Sequence, residues 1–205
     1  YLKRAVVGGV DRVFEMNRNF RNEGMDSSHS PEFTSLEAYE AYSDYNGMAE
    51  LTRNLIQQAA RDAFDLPEGQ EVVTLADGTE YDLSGGWDHI DLYGSTSEAL
   101  GEEITVDTPR EKLLKYADQI GIEVDDYAVN GKIVEDIFEE LVASKLWAPT
   151  FVYDFPEDTS PLTRYHRSRP GLTEKWDLYV RGFETATAYS ELADPVVQRQ
   201  RFEAQ

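Results

Sequence analysis

The chain has 205 residues, 40% of them hydrophobic, which is enough for one sizeable folded domain and excludes an intrinsically disordered chain. Its formal net charge of −21 makes the surface as a whole a poor partner for nucleic acid. No apolar run approaches the roughly 20 residues that span a bilayer, and no signal peptide opens the sequence, so no membrane association is expected.

The charge is distributed unevenly along the chain. Residues 1–24 carry five basic and three acidic groups, a net of +2, so the remainder carries −23. A second basic cluster consists of Arg164, Arg167 and Arg169 around His166. Such clusters either bind a polyanion or arise by chance in an acidic surface, and the residues alone leave both readings open. The absence of cysteine excludes disulfides and thiolate metal sites and fits a cytoplasmic protein.

Hydrophobic periodicity predicts the elements in chain order. Alternating side chains at 11–22 and 32–40 predict a long antiparallel hairpin around a polar loop at 23–31. Apolar residues at helical spacing predict an amphipathic helix at 45–64. The other predicted elements are a tight hairpin within 71–83, helices at about 96–101, 109–120 and 131–146, a buried strand at 149–155, a strand pair over 174–191 that bends near Arg181-Gly182, and a final helix opened by Asp194-Pro195.

The order of these elements indicates the fold class. Hairpin-connected strands, a helical stretch inserted between them and no regular βαβ rhythm favour an α+β fold with an antiparallel sheet.

The first predicted hairpin carries the most informative stretch, which runs from Arg12 to Tyr39 and reads RVFEMNRNFRNEGMDSSHSPEFTSLEAY. It resembles motif 2 of class II aminoacyl-tRNA synthetases, closely in the version found in the lysine enzymes. The resemblance implies the class II fold, an antiparallel sheet flanked by helices, with a helical insertion at about 97–148. It covers nearly the whole chain, which makes 1–205 part of a catalytic domain with motif 2 at about 11–40.

Amino-acid activation joins two anions, a carboxylate and the α-phosphate of ATP, so catalysis depends on positioning and charge neutralisation. A planar, permanently charged guanidinium suits that task. The resemblance assigns it to Arg21, the catalytic residue. It further implies that Glu23 accepts a hydrogen bond from the adenine amino group, that His29 reaches the β- and γ-phosphates, and that Phe33 stacks on the adenine ring.

A second stretch, WDLYVRGFETATAYSELAD at 176–194, resembles the strands that bind metal and lysine in the lysine enzymes. The resemblance places Asp177 and Glu184 on carboxylates linked to Mg²⁺, which typically combines few protein ligands with phosphates and water. A hairpin turn near Arg181-Gly182 would bring these two acids roughly opposite one another.

The resemblance also implies a pocket for the lysine ammonium, which is costly to bury unless it is paired. Glu37, Tyr39, Thr187 and Glu191 are its expected members. Many family members carry Glu at the position of Asp177 and Asn at that of Thr187, so metal and lysine contacts differ here. Taken singly, Arg21 and Glu23 also fit a surface ion pair, Phe33 fits a core aromatic, and the acids of 176–194 fit a solvated acidic strand.

The resemblance implies ATP-dependent conversion of lysine to lysyl-adenylate and transfer to tRNA(Lys), with Mg²⁺ as cofactor and a cytoplasmic homodimer as the full-length form. Two alternatives stay open: a paralogue that lysylates another acceptor, such as a translation factor or a lipid, and a non-catalytic synthetase-like binding module. Motif 1, motif 3 and the anticodon-binding domain have no counterpart in 1–205, so the chain alone is expected to be inactive.

Overall fold

The structure of the chain is a computed structural model that describes residues 1–22, 24–25 and 29–204. The chain divides into two compact units, Tyr1–Ser43 and Asp44–Gln205. Within the described residues, no helix combines the length and the apolar character that crossing a membrane requires.

The first unit is a hairpin preceded by a short helix. Helix α1 spans Leu2–Val7, strand β1 spans Arg12–Phe20 and strand β2 spans Glu32–Glu40. The two strands pair antiparallel in unbroken register from Arg12 opposite Glu40 to Phe20 opposite Glu32. This confirms the predicted hairpin. Helix α1 was not predicted, because its six residues are too few to show the hydrophobic periodicity of a helix. None of the described residues of this unit is buried.

The second unit contains the other twelve elements. They are α2 (Tyr45–Phe64), β3 (Val72–Thr74), β4 (Glu80–Asp82), β5 (Asp88–Asp91), α3 (Leu92–Leu100), α4 (Arg110–Gln119), α5 (Asn130–Leu141), a 3-10 turn (Ala143–Lys145), β6 (Thr150–Tyr153), β7 (Lys175–Val180), β8 (Phe183–Tyr189) and α6 (Pro195–Ala204). The fold is α+β, with antiparallel strands and flanking helices.

A four-stranded sheet in the order β5-β6-β7-β8 forms the centre of the second unit. Its last three strands are antiparallel, while β5 and β6 are parallel because α3, α4 and α5 form the connection between them. The sheet separates two apolar cores. One contains residues from α3, α4 and α5, and the other contains residues from α2 and the β3-β4 hairpin. The sequence analysis missed β5, so the parallel pair is a correction to the expected all-antiparallel sheet.

Most predicted elements are confirmed, and the exceptions have local causes. Helix α3 begins at residue 92 rather than 96, because the Asp91 side chain accepts a hydrogen bond from the Gly94 amide at 2.7 Å and acts as N-cap. Helix α5 ends at Leu141 rather than 146, and a 3-10 turn follows it. The predicted bounds of α2 are confirmed at both ends.

Candidate active site

One face of the hairpin carries two of the residues predicted to bind nucleotide, Arg21 and Phe33, and two of those predicted to bind lysine, Glu37 and Tyr39. The register places Phe33, Glu37 and Tyr39 on the same side of β2. Arg21 lies one residue beyond β1, where its amide donates to the Pro31 carbonyl at 2.9 Å and extends the ladder. Its guanidinium carbon lies 5.3 Å from the centroid of the Phe33 ring, within cation–π range. A permanent cation and an aromatic plate are therefore adjacent on one surface.

An acidic pair lies further along the same face. Glu37 stands directly opposite Glu15 in the ladder, and the Tyr39 hydroxyl donates to Glu37 Oε2 at 3.4 Å. Like charges at opposed positions destabilise a sheet, so this arrangement favours a bound cation. The sequence analysis missed Glu15, because the predicted hairpin carried no register and only the structure pairs Glu15 with Glu37.

The loop of the hairpin carries two more of the predicted residues. His29 is exposed. Glu23 lies outside the described residues. The assignments of His29 and Glu23 therefore stay predictions.

The predicted metal carboxylates lie on β7 and β8. Asp177 is opposite Thr187, and Glu184 is opposite Tyr179. The two acids, expected roughly opposite one another, are therefore diagonal neighbours on paired strands rather than a directly opposed pair. They still share a face, because the register shifts between Leu178 and Tyr179. A regular ladder would have turned Glu184 to the other face of the sheet.

The two oxygens of Asp177 have different surroundings. The side chain is only 6% exposed, and Oδ2 lies 2.8 Å from the ammonium nitrogen of Lys175. Oδ1 is buried and has no hydrogen-bond partner among the described residues. A buried carboxylate oxygen without a donor is costly, and a bound cation would remove that cost.

Glu184 is electrostatically linked to Asp177. Desolvation of its carboxyl group, followed by the negative charge of Asp177, raises the pKa of Glu184 to about 6. The positive charge of Lys175 lowers this pKa, while two acids of α5, Glu139 and Glu135, raise it further. The face between β7, β8 and α5 is thus strongly negative.

This donor set fits magnesium, although no three Asp, Glu or His side chains form a metal cage in the described part of the chain. Mg²⁺ usually binds one or two carboxylates and takes its other ligands from phosphates and water. The Asp177 carboxylate, whose Oδ1 has no hydrogen-bond partner among the described residues, and the neighbouring Glu184 carboxylate meet that requirement.

The predicted lysine ligands of the second unit lie further along β8. Thr187 is exposed, and its hydroxyl donates to the Trp176 carbonyl at 3.3 Å. Glu191 lies two residues beyond the end of β8, where it forms an isolated bridge with Thr163. The register puts Thr187 on the same face as Asp177.

Two of the three arginines in the basic cluster at 164–169, Arg167 and Arg169, form ion pairs within the protein. Arg167 forms two contacts with the buried Glu174, Nε to Oε1 at 2.5 Å and Nη2 to Oε2 at 3.0 Å. Arg169 bonds both Asp91 and Asp154, the latter at 2.5 Å. These arginines anchor the loop, which argues against polyanion docking through them.

The hairpin carries Arg21 beside Phe33, and strands β7 and β8 carry the predicted metal ligands Asp177 and Glu184. Both features are parts of a class II synthetase fold. Residues 1–205 match the family model described as tRNA synthetases class II (D, K and N), and the chain belongs to this family. The names of individual relatives are more specific than the description of the family. The chain is 61% identical over 203 residues to a lysine–tRNA ligase of Kineococcus radiotolerans, and the match covers 98% of this chain and 40% of that relative.

Two further relatives extend the comparison. A lysine–tRNA ligase of Mycolicibacterium gilvum is 61% identical over 207 residues, with 100% of this chain and 40% of that relative covered. The lysylphosphatidylglycerol biosynthesis bifunctional protein LysX of Gordonia bronchialis is 49% identical over 205 residues, with 100% of this chain and 18% of that relative covered. The chain thus spans about two fifths of the length of the lysine–tRNA ligases that it matches.

Proposed function

We propose that the protein activates lysine with ATP and transfers it to tRNA(Lys). The observation that carries this proposal is the placement of the Arg21 guanidinium beside the Phe33 ring, on the same hairpin face as Glu37 and Tyr39. The 61% identity to proteins named lysine–tRNA ligase supports the choice of amino acid and acceptor.

In the activation step, the lysine carboxylate oxygen attacks the α-phosphorus of ATP, and pyrophosphate leaves. Arg21 would hold the two anionic reactants together through its planar fork of donors. Phe33 would stack on the adenine, Glu23 would accept from its amino group, and His29 would contact the outer phosphates. In the second step, a tRNA ribose hydroxyl attacks the adenylate carbonyl carbon, and AMP leaves.

Recognition of lysine requires acidic partners for its side-chain ammonium. We assign this role to Glu37 and Tyr39 on the hairpin and to Thr187 and Glu191 in the second unit. The opposition of Glu15 and Glu37 supports the assignment, because a cation relieves their repulsion.

Asp177 and Glu184 would hold magnesium with the ATP phosphates. When bound, Mg²⁺ supplies positive charge that offsets the negative charge of the phosphates. The unpartnered oxygen of Asp177 and the raised pKa of Glu184 support these two residues as ligands.

The decisive experiment assays the complete gene product for lysine-dependent exchange of pyrophosphate into ATP, then for lysylation of tRNA(Lys). Both activities are expected to require Mg²⁺. Exchange with another amino acid, or none with lysine, would refute the proposal. We further propose that the complete protein is a cytoplasmic homodimer, and sedimentation of the complete gene product tests the dimer. We expect residues 1–205 alone to catalyse no pyrophosphate exchange.

A second candidate is transfer of activated lysine to another acceptor, which the 49% identity to LysX favours. Activation would proceed as before, so pyrophosphate exchange cannot separate the two. Supplying tRNA(Lys) and phosphatidylglycerol vesicles in parallel assays separates them. Lysylation of lipid without lysylation of tRNA would favour the second candidate.

A further inference from the structure

Lys175 lies beside Asp177, one of the two carboxylates that we propose as metal ligands. Its ammonium bonds Asp177 Oδ2 at 2.8 Å and lies 3.8 Å from the centroid of the Phe155 ring. The side chain is only 22% exposed. Because the ion pair and the cation–π contact both hold the ammonium, it cannot leave the carboxylate without losing two favourable interactions.

This contact leaves one oxygen of Asp177 available. Oδ2 is taken by Lys175, while Oδ1 is buried without a partner among the described residues. A cation that binds Oδ1 therefore shares its carboxylate with a fixed positive charge. The same ammonium attracts any ligand whose net charge is negative, which includes a divalent metal already bound to a nucleoside triphosphate.

We propose that Lys175 weakens the binding of a bare divalent cation to the Asp177 carboxylate, so that metal binds there more tightly together with the nucleotide phosphates than alone. Lys175 acts as a positioning residue, through Asp177. The inference rests on the proposed function, since it assigns the order in which two components of that reaction bind. Even with the dielectric constant of water, a unit charge about 5 Å from a dication lowers its affinity by roughly ten-fold.

The test measures binding of Mn²⁺ to the complete gene product by electron paramagnetic resonance, with neither nucleotide nor lysine present. The measurements are made at pH 8, where carboxylates are ionised. Lys175→Met is expected to bind Mn²⁺ about ten-fold more tightly than the unmodified protein. Lys175→Arg keeps the charge and should behave like the unmodified protein. With ATP present, Lys175→Met should no longer bind Mn²⁺ more tightly than the unmodified protein.

Two further variants assign the effect to the carboxylate. Adding Asp177→Asn to Lys175→Met should abolish the gain in affinity. Lys112→Met is the matched control, because Lys112 forms an ion pair with Glu102 outside this face and its loss should leave Mn²⁺ binding unchanged. Equal nucleotide-free affinity of Lys175→Met and the unmodified protein would overturn the proposal.

The single variant Asp177→Asn provides a test even if Lys175→Met does not fold. It should weaken Mn²⁺ binding more strongly when ATP is present than without nucleotide. An equal or larger weakening without ATP would overturn the proposal. Failure of lysine activation would refute the proposed function and leave these metal measurements intact, whereas normal activation without the Lys175 effect would refute this inference alone.

Discussion

At the scale of single residues, two arginines of the hairpin form a natural comparison. Arg21 follows β1 on the face of Phe33, while Arg18 lies on the opposite face, where it pairs with Glu32 at 3.0 Å. Alternation of side chains along the strand puts the two guanidinium groups on opposite faces of the hairpin. We propose a nucleotide contact for Arg21 and none for Arg18.

Arg21→Lys is expected to lower kcat/KM for lysine-dependent pyrophosphate exchange by about 100-fold or more, because lysine keeps the charge but loses the planar fork. Arg18→Lys should change it by less than about three-fold, since exposed ion pairs contribute little. Equal effects of the two substitutions in the complete gene product would contradict the assignment of Arg21.

Glu71 gives a prediction about pH and stability. It is buried, and its Oε1 accepts from Arg61 Nη1 at 2.5 Å and from the Gly69 amide at 3.0 Å. The hydrogen bond from Arg61, followed by that from the Gly69 amide, lowers the pKa of Glu71 below its ordinary value of 4.5. A carboxyl group with a lowered folded-state pKa stabilises the fold above its unfolded pKa, and that stability is lost as the pH falls through the folded pKa.

Glu71→Gln should therefore lower Tm near pH 7, and the difference from the unmodified protein should shrink as the pH falls below about 4. Thermal unfolding over this range measures the effect. Glu80→Gln, on an exposed position of β4, serves as the control and should change Tm little at any pH. A Tm difference for Glu71→Gln that stays constant with pH would exclude the ionic origin.

At the scale of elements, local preference and packing oppose each other at the start of α5. Gly131 lies in its first turn, and its amide donates to Asp158 Oδ2 at 3.0 Å. A Cβ atom there would lie 2.6 Å from Pro156 Cγ and would also clash with Asp158 Oδ1. Alanine is favoured over glycine in helices by about 1 kcal/mol, but this steric conflict is larger.

Gly131→Ala is therefore expected to lower the free energy of unfolding by about 2 kcal/mol or more, measured by urea denaturation. Glu140→Ala, at an exposed position of the same helix, should change it by less than about 0.5 kcal/mol. Stabilisation by Gly131→Ala would show that propensity outweighs packing at this site.

At the scale of the whole molecule, the two units differ in their means of stability. All the buried hydrophobic residues found in the described part of the chain belong to the second unit, where they form two cores around the sheet. The first unit has a two-stranded ladder without buried residues in its described part. An isolated two-stranded hairpin is at best marginally stable in water.

A fragment of residues 44–205 should therefore fold by itself, with a cooperative thermal transition and a near-ultraviolet circular dichroism signal. A peptide of residues 1–43 should show neither. A folded peptide, or a fragment 44–205 without cooperative unfolding, would contradict this division of stability.

The sequence by itself determined the features that depend on local periodicity. Apolar spacing defined α2, alternation defined the hairpin, and the Asp194-Pro195 pair predicted α6, in which Asp194 accepts from the Val196 amide at 2.8 Å. The hairpin also carried the resemblance to class II synthetases, because Arg21, Phe33 and Glu37 follow one another along a short segment of chain.

The tertiary structure alone decided the features that join distant segments or break a period. The register shift that turns Glu184 toward Asp177 has no signal in alternation, and the ion pairs of Arg169 with Asp91 and Asp154 connect three separate segments. Strand β5 has only four residues, too few to show a period, and its parallel pairing with β6 spans the three intervening helices. Local patterns report which side chains avoid water, whereas the partners of a buried charge depend on how distant segments pack together.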